Sequence, residues 1–363
     1  LSLSSLSLSS LSSSSSPLPP YVFRTPHQFL IVSAANDAYV RSEMLQNFLC
    51  SLSLLPYADF LISRLVFLPL DSDTGTYVHN HYPLITSFDS SKYWHVDEGF
   101  LRTSSGATPS YFSYVIRKAI FLLKILETQN SDFLWTDSDL IWKQDPLPFF
   151  LGNGGEGEEE GGGCDFFFTD GVRWHIDFLK HLDPRVNAGF YYARNTENTK
   201  LLFRTWVTLL LEIQHKKGAD KEQTTLNQVF AILLAKNQLQ FHYPVDGPYP
   251  STHIPGMVTI CFLPMVEFPK WEELDDSQGK VVIAHANVVQ KSSKDEELKR
   301  LGFWRLQGDG SCPEMEKLGR AKRDRERKER ERIDKERIER ERLERERLER
   351  EKERKREREK EKE

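Results

Sequence analysis

The run Phe133-Leu134-Trp135-Thr136-Asp137-Ser138-Asp139 ends an apolar segment in two carboxylates one residue apart. Residues i and i+2 of an extended strand point the same way, so the spacing predicts that Asp137 and Asp139 converge. In an open α/β sheet, ligands sit at the strand ends. Two hard oxygen donors there suit a divalent cation that also holds a diphosphate. Apolar Leu140-Ile141-Trp142 follows and Asp145-Pro146 closes the segment; a surface Asp-x-Asp is not normally flanked by apolar residues on both sides. Carboxylates this close repel unless they share a cation, which favours metal binding over a structural role.

The elements that must position this pair read as strand, helix, strand, helix, strand. Gln28–Ala35 (QFLIVSAA) is a buried first strand, followed by helical spacing over 38–50 (Tyr39, Val40, Met44, Leu45, Phe48). Residues 64–70 (RLVFLPL) form a second strand, and residues 74–108 carry no assignable pattern. Tyr111–Leu126 has helical periodicity and runs into the Asp137/Asp139 strand. That order predicts a parallel sheet with crossover helices. Further strands are expected at Asp165–Thr169, Ala188–Ala193, Val258–Leu263 and Val281–Ala284, with helices at 197–214, 223–234 and 294–301. Residues 152–163 (GNGGEGEEEGGG) read as a flexible acidic insertion, since clustered glutamates repel phosphate.

Charge divides unevenly along the chain. From residue 315 on there are 23 Lys+Arg against 18 Asp+Glu, leaving 26 of the 49 basic and 36 of the 54 acidic residues for the rest. An acidic body argues against nucleic acid as a partner. Residues 1–20 are a Leu/Ser low-complexity segment without a basic start or a continuous apolar stretch, which makes a poor signal peptide. No run of eighteen apolar residues occurs, so no membrane span is visible, and an anchor upstream of Leu1 stays open. Cys50, Cys164, Cys261 and Cys312 show no metal-binding spacing and read as buried or free thiols rather than disulfides. The absence of any Asn-x-Ser/Thr site argues against heavy glycosylation in a lumenal compartment.

Residues 313–363 read as a separate charged Glu/Arg helix, following a single domain over 21–312. Ile333, Ile338, Leu343 and Leu348 recur every five residues. At ~100° per residue each is turned ~140° from the last, so they spiral round the helix without forming a coiled-coil seam. Glu331/Lys335, Glu336/Arg340, Glu341/Arg345 and Glu346/Arg350 are i,i+4 pairs in the favourable order, worth about 0.3–0.5 kcal/mol each. A solvated single helix serving as a spacer or tether is expected.

The segment WTDSDLIWKQDPLPFF (135–150) resembles the signature of the nucleotide-diphospho-sugar transferase family, typified by plant cell-wall arabinosyl- and xylosyltransferases (glycosyltransferase family 77). Other stretches resemble the family in order: the Tyr114–Leu126 helix with Lys118, the Val186–Tyr192 strand, Glu222-Gln223 with Asn227, His285-Ala286-Asn287, and Lys294 through Trp304. The resemblance runs over about residues 26–306. It implies a glycosyltransferase-A (Rossmann-like) α/β fold with a mostly parallel sheet, a UDP-linked sugar donor, and a glycan or glycoprotein acceptor. Retention of anomeric configuration and a Golgi lumen location behind a membrane anchor are implied as well.

Residue by residue, the resemblance implies that Asp137 and Asp139 hold Mn²⁺ or Mg²⁺, with His285 a later ligand of metal or phosphate. Asn187 and Gly189 would line the donor sugar, Glu222 and Gln223 would position a sugar hydroxyl, and Lys118 would reach the donor phosphates or else solvate a helix face. Asn287 would complete the donor site. Two departures stand out: Glu222 replaces the family's Asp, and Val-Val-Gln-Lys follows Asn287 without the usual glycine. Two other readings fit parts of the chain. A nucleotidyltransferase needs a Gly-rich basic loop where this chain has Ser33-Ala34-Ala35-Asn36-Asp37. A degenerate transferase domain would act as an interaction module carried on the charged helix.

Overall fold

A computed structural model describes residues 28–35, 37–69, 72–87, 109–129, 131–151, 163–170, 186–213, 222–242, 250, 252–264, 267–269, 279–285 and 294–360. The Leu/Ser segment, the acidic insertion up to residue 162 and Asn287 lie outside them. Two units are distinguished, residues 1–312 and 313–363.

Eight strands of the first unit form one sheet. They are β1 (Gln28–Ala35), β2 (Leu65–Pro69), β3 (Thr86–Ser87), β4 (Ser131–Thr136), then, after β5 (Leu140–Trp142), β6 (Phe166–Asp170), β7 (Val186–Ala193), β8 (Leu239–His242) and β9 (Val258–Phe262). Their order is β3-β2-β1-β4-β7-β6-β9-β8, and β7 alone runs antiparallel to its two neighbours. β5 pairs instead with β10 (Ile283–His285) in a small antiparallel sheet, His285 opposite Leu140.

Period-two alternation explains the packing. Leu30, Val32 and Ala34 of β1, Phe133 and Trp135 of β4, Phe166 and Phe168 of β6, and Tyr191 and Ala193 of β7 enter one apolar cluster. Onto that face pack the helices Pro109–Lys124 (Val115, Ala119, Leu122), Glu197–Ile213 (Leu202, Phe203, Trp206) and Glu222–Ala235 (Leu226, Val229, Phe230). Intervening residues such as Ile31 and Leu134 are also buried, as a sheet covered on both faces requires. A second cluster gathers Met44, Ile141, Val281, Ala284, Leu298 and Phe303, joining the Glu43–Ser53 and Lys294–Arg300 helices to the small sheet.

Several expectations are corrected. The apolar run does not continue as one strand through the aspartates: β4 stops at Thr136, residues 137–139 form a turn, and the chain enters a different sheet at Leu140. Convergence of the two carboxylates is therefore a property of the turn, not of the pleat. The strand expected at Val281–Ala284 is Ile283–His285 and belongs to that small sheet, β8 is an added strand whose Leu239 and Phe241 alternate with Gln240 and His242, and residues 72–81 form a helix. Gly163, read as part of a flexible loop, is packed. Its N–H donates to Pro250 O at 2.8 Å, and a Cβ there would lie 2.3 Å from Thr252 O.

The cysteines are disulfides, not thiols. Cys50 pairs with Cys312 and Cys164 with Cys261, across 262 and 97 residues of sequence. Partners so distant in the chain leave no local spacing to read. No helix among the described residues is long and apolar enough to cross a membrane.

The second unit is a single helix, Pro313–Lys360, of 48 residues. Glu336–Arg340, Glu341–Arg345 and Glu346–Arg350 lie at 3.8, 3.9 and 4.0 Å, with shorter i,i+3 pairs such as Glu339–Arg342 at 2.6 Å among them. Ile333, Ile338, Leu343 and Leu348 are half exposed or more, which accords with a solvated helix.

Candidate active site

Asp137 stands one residue beyond β4, at the carboxyl end of a central strand. Its N–H donates to Gly189 O of β7 at 2.8 Å, and its Oδ1 accepts from Trp135 Nε1 at 2.9 Å. Asp139 follows in the turn, and His285 reaches it from the end of β10, with Nε2 3.5 Å from Asp139 Oδ1. One ligand atom from each of Asp137, Asp139 and His285 lies within 4.8 Å of the others. Asp139 and His285 are buried and Asp137 is partly exposed, so a ligand has a way in.

Each of the three is fixed by a neighbour on the atom turned away from that cluster. Trp135 holds Asp137 Oδ1. Asn187 Nδ2 donates to His285 Nδ1 at 2.9 Å while its own Oδ1 accepts the Gly189 N–H at 2.9 Å. An Nδ1 that accepts this bond leaves the ring proton on Nε2, the nitrogen facing Asp139. Asp139 Oδ2 accepts from Lys294 Nζ at 2.5 Å and from Tyr39 OH at 3.4 Å. Gly189 leaves the space between them: a Cβ there would come within 2.3 Å of His285 Cε1 and 2.7 Å of Asp137 Oδ2.

Beneath the cluster lies a buried ion pair. Lys118, fully enclosed in the Pro109–Lys124 helix, pairs with Glu222 at the start of the Glu222–Ala235 helix. Its ammonium sits 3.5 Å over the Trp135 ring and donates to Ala188 O at 3.3 Å. Lys118 thus neither solvates a helix face nor stands open to a ligand. Glu222 is likewise turned into the floor of the site. Gln223 occupies the next position of the helix.

The electrostatics separate the two aspartates. Burial raises the Asp137 carboxyl above its ordinary range; Lys118 offsets part of this and the Asp139 charge adds to it. Burial also pushes Asp139 upward, but contact with His285 and the Lys294 ammonium outweighs it and holds the carboxyl well below the usual range. Tyr39 is pushed up to about 12, first by burial and then by Asp139. The Glu222 carboxyl is raised by burial, against the pull of Lys118.

Tyr39, Trp135 and Lys294 are site residues that spacing did not single out. Lys294 is 155 residues from its partner Asp139 and Tyr39 is 100. Lys294 stood out only as the first residue of the stretch to Trp304 that resembles the family. Another buried carboxylate, Asp165, accepts from Thr259 N–H and Thr196 Oγ1. It precedes β6, which is parallel to β4, and so lies at the opposite strand ends from Asp137. There it ties β6 to β9.

The family model described as nucleotide-diphospho-sugar transferase matches residues 60–301. No match was found among curated proteins. Among solved structures, the glycosyltransferase GlyE of Streptococcus pneumoniae TIGR4 shares 14% identity over 81% of this chain and 63% of its own, with a TM-score of 0.44. Mouse xyloside xylosyltransferase 1 shares 13% over 72% and 98%, with a TM-score of 0.39. LgtC, a galactosyltransferase solved with donor and acceptor sugar analogs, shares 12% over 76% and 94%, with a TM-score of 0.37. The chain spans less than two thirds of the first of these.

Proposed function

The chain belongs to the nucleotide-diphospho-sugar transferase family, and from that membership we propose that it moves a sugar from a UDP-linked donor to a glycan or glycoprotein. The observation that carries this reading is the convergence of Asp137, Asp139 and His285 at the carboxyl end of β4. The Asp137 and Asp139 carboxylates fit a divalent cation of the Mn²⁺ or Mg²⁺ kind, and His285, whose ligand atom lies within 4.8 Å of theirs, would join them in the tautomer that carries its proton on Nδ1. When bound, that cation supplies positive charge to the nucleoside diphosphate leaving group, with no proton transfer needed.

The chain's own residues do the rest. Asp137 and Asp139 offer anionic oxygens from a turn pinned to β7 by the Asp137–Gly189 backbone bond. Asn187 orients His285 and, with Gly189, borders the space a donor would enter. Lys118 and Glu222 act from below: their pair braces Ala188, between Asn187 and Gly189, rather than touching a sugar. Glu222, where the family has Asp, makes that pair with Lys118. Retention at the anomeric carbon enters through the family alone. Two disulfides support an oxidising compartment such as the Golgi lumen.

The test is titration of the full chain with UDP and Mn²⁺ beside Asp137→Ala and Asp139→Ala. UDP binding that needs the metal and both aspartates is expected. A folded protein that binds UDP equally well without metal, or not at all, would sink the reading and leave an interaction module in its place.

A further inference from the structure

Asp139 is already paired. Lys294 Nζ lies 2.5 Å from Asp139 Oδ2, and the two side chains are 11% and 9% exposed. The ammonium also donates to Tyr39 OH at 3.4 Å, and Tyr39 donates in turn to the same carboxylate oxygen. Lys294 begins a short helix whose Leu298 is packed with Met44, Ile141 and Ala284, so its backbone is anchored beside the cluster. The flexible four-carbon stem, by contrast, lets the charge move by several ångströms.

This arrangement has a consequence for how the site fills. A divalent cation seated among Asp137, Asp139 Oδ1 and His285 meets a carboxylate whose charge is already compensated, with an ammonium on its other oxygen. Like charges this close in a poorly hydrated pocket repel strongly. A nucleoside diphosphate arriving with the metal offers the ammonium another anion. Resting on the transferase reading above, we propose that Lys294 is a tethered counter-cation for Asp139 that makes metal binding and diphosphate binding depend on one another. Metal alone binds weakly; metal with diphosphate binds tightly; and by reciprocity the metal raises diphosphate affinity by the same factor.

The experiment measures Mn²⁺ affinity of the full chain from the resonance of the free ion, with and without UDP. Lys294→Gln removes the charge but keeps a donor to Asp139 Oδ2, which protects the fold; Lys294→Arg keeps the charge. Without UDP, Lys294→Gln is expected to bind Mn²⁺ about tenfold tighter than the unmodified chain, within the usual range of coupling between sites. The enhancement by UDP should shrink correspondingly, and Lys294→Arg should keep most of it. Affinity in Lys294→Gln that is unchanged or weaker without UDP overturns the proposal and leaves Lys294 a structural partner of Asp139. So does an undiminished UDP enhancement. Failure of the transferase reading looks different: the unmodified chain and Asp139→Ala would then respond to UDP and Mn²⁺ alike.

Discussion

Gly189 and His285 fit together only because residue 189 has no side chain. An added methyl carbon would lie 2.3 Å from His285 Cε1 and 2.7 Å from Asp137 Oδ2, distances no real Cβ tolerates, so one of the two ligand candidates must move. Gly189→Ala is therefore predicted to weaken metal-dependent UDP binding about 10–100-fold, the usual cost of disturbing a ligand's support, while the far-ultraviolet spectrum stays the same. Gly256→Ala is the control. Its φ of +78° penalises a side chain, but open space surrounds it. That variant should lose about 1–2 kcal/mol of stability and keep its binding.

Asn187 decides which nitrogen of His285 carries the proton. In the present arrangement the amide donates to Nδ1, which puts the proton on Nε2, the nitrogen nearest Asp139. Ligation through Nε2 needs the opposite tautomer, held by an acceptor on Nδ1. Asn187→Asp supplies that acceptor and can still receive the Gly189 N–H that Asn187 Oδ1 receives now. Tighter Mn²⁺ binding is expected, with imidazole nitrogen shifts that move the proton to Nδ1. Unchanged shifts would show that His285 is a bystander.

The Lys118–Glu222 pair should be worth much more broken than absent. Lys118 is fully buried and Glu222 nearly so, and a carboxylate left alone there has no water to fall back on. Lys118→Met is predicted to cost about 3–5 kcal/mol in urea unfolding, and the double change Lys118→Met with Glu222→Leu to recover most of it. A double variant as unstable as the single one would refute the pairing as the cause. UDP binding should fall in both, because both lose the bond to Ala188 O.

How far the sequence could be read depended on the reach of each signal. Continuous apolar runs identified β1, β4, β6 and β7, because burial on both faces writes itself into adjacent residues. The aspartate pair was legible for the same reason of proximity, though its geometry was misread: a turn between two sheets, not one strand, brings the carboxylates together. Tyr39, Lys294 and both disulfides were not legible, since each joins residues roughly 100 or more positions apart and only the closed fold brings them together. Lys118 was legible as a residue but not as a role, because an amphipathic helix does not announce that one of its lysines is fully enclosed.

The raised carboxyl of Asp137 sets a direction for stability against pH. Its folded value lies above the ordinary carboxylate value, with burial the largest cause. Below the ordinary value both states are protonated and the group contributes nothing. As pH rises from there to the folded value, the unfolded chain ionises first, and the metal-free fold loses stability that it does not regain at neutral pH. Asp137→Asn keeps the Trp135 bond and removes the charge, so it should be more stable than the unmodified chain at pH 7 without metal. The difference should vanish toward pH 3. Added Mn²⁺ should reverse the order at pH 7, because only the aspartate gains from the ion. Thermal unfolding of both chains at the two pH values, with and without Mn²⁺, measures all of this. An Asp137→Asn variant less stable than its parent at pH 7 without metal would mean that Lys118 outweighs burial at this carboxylate.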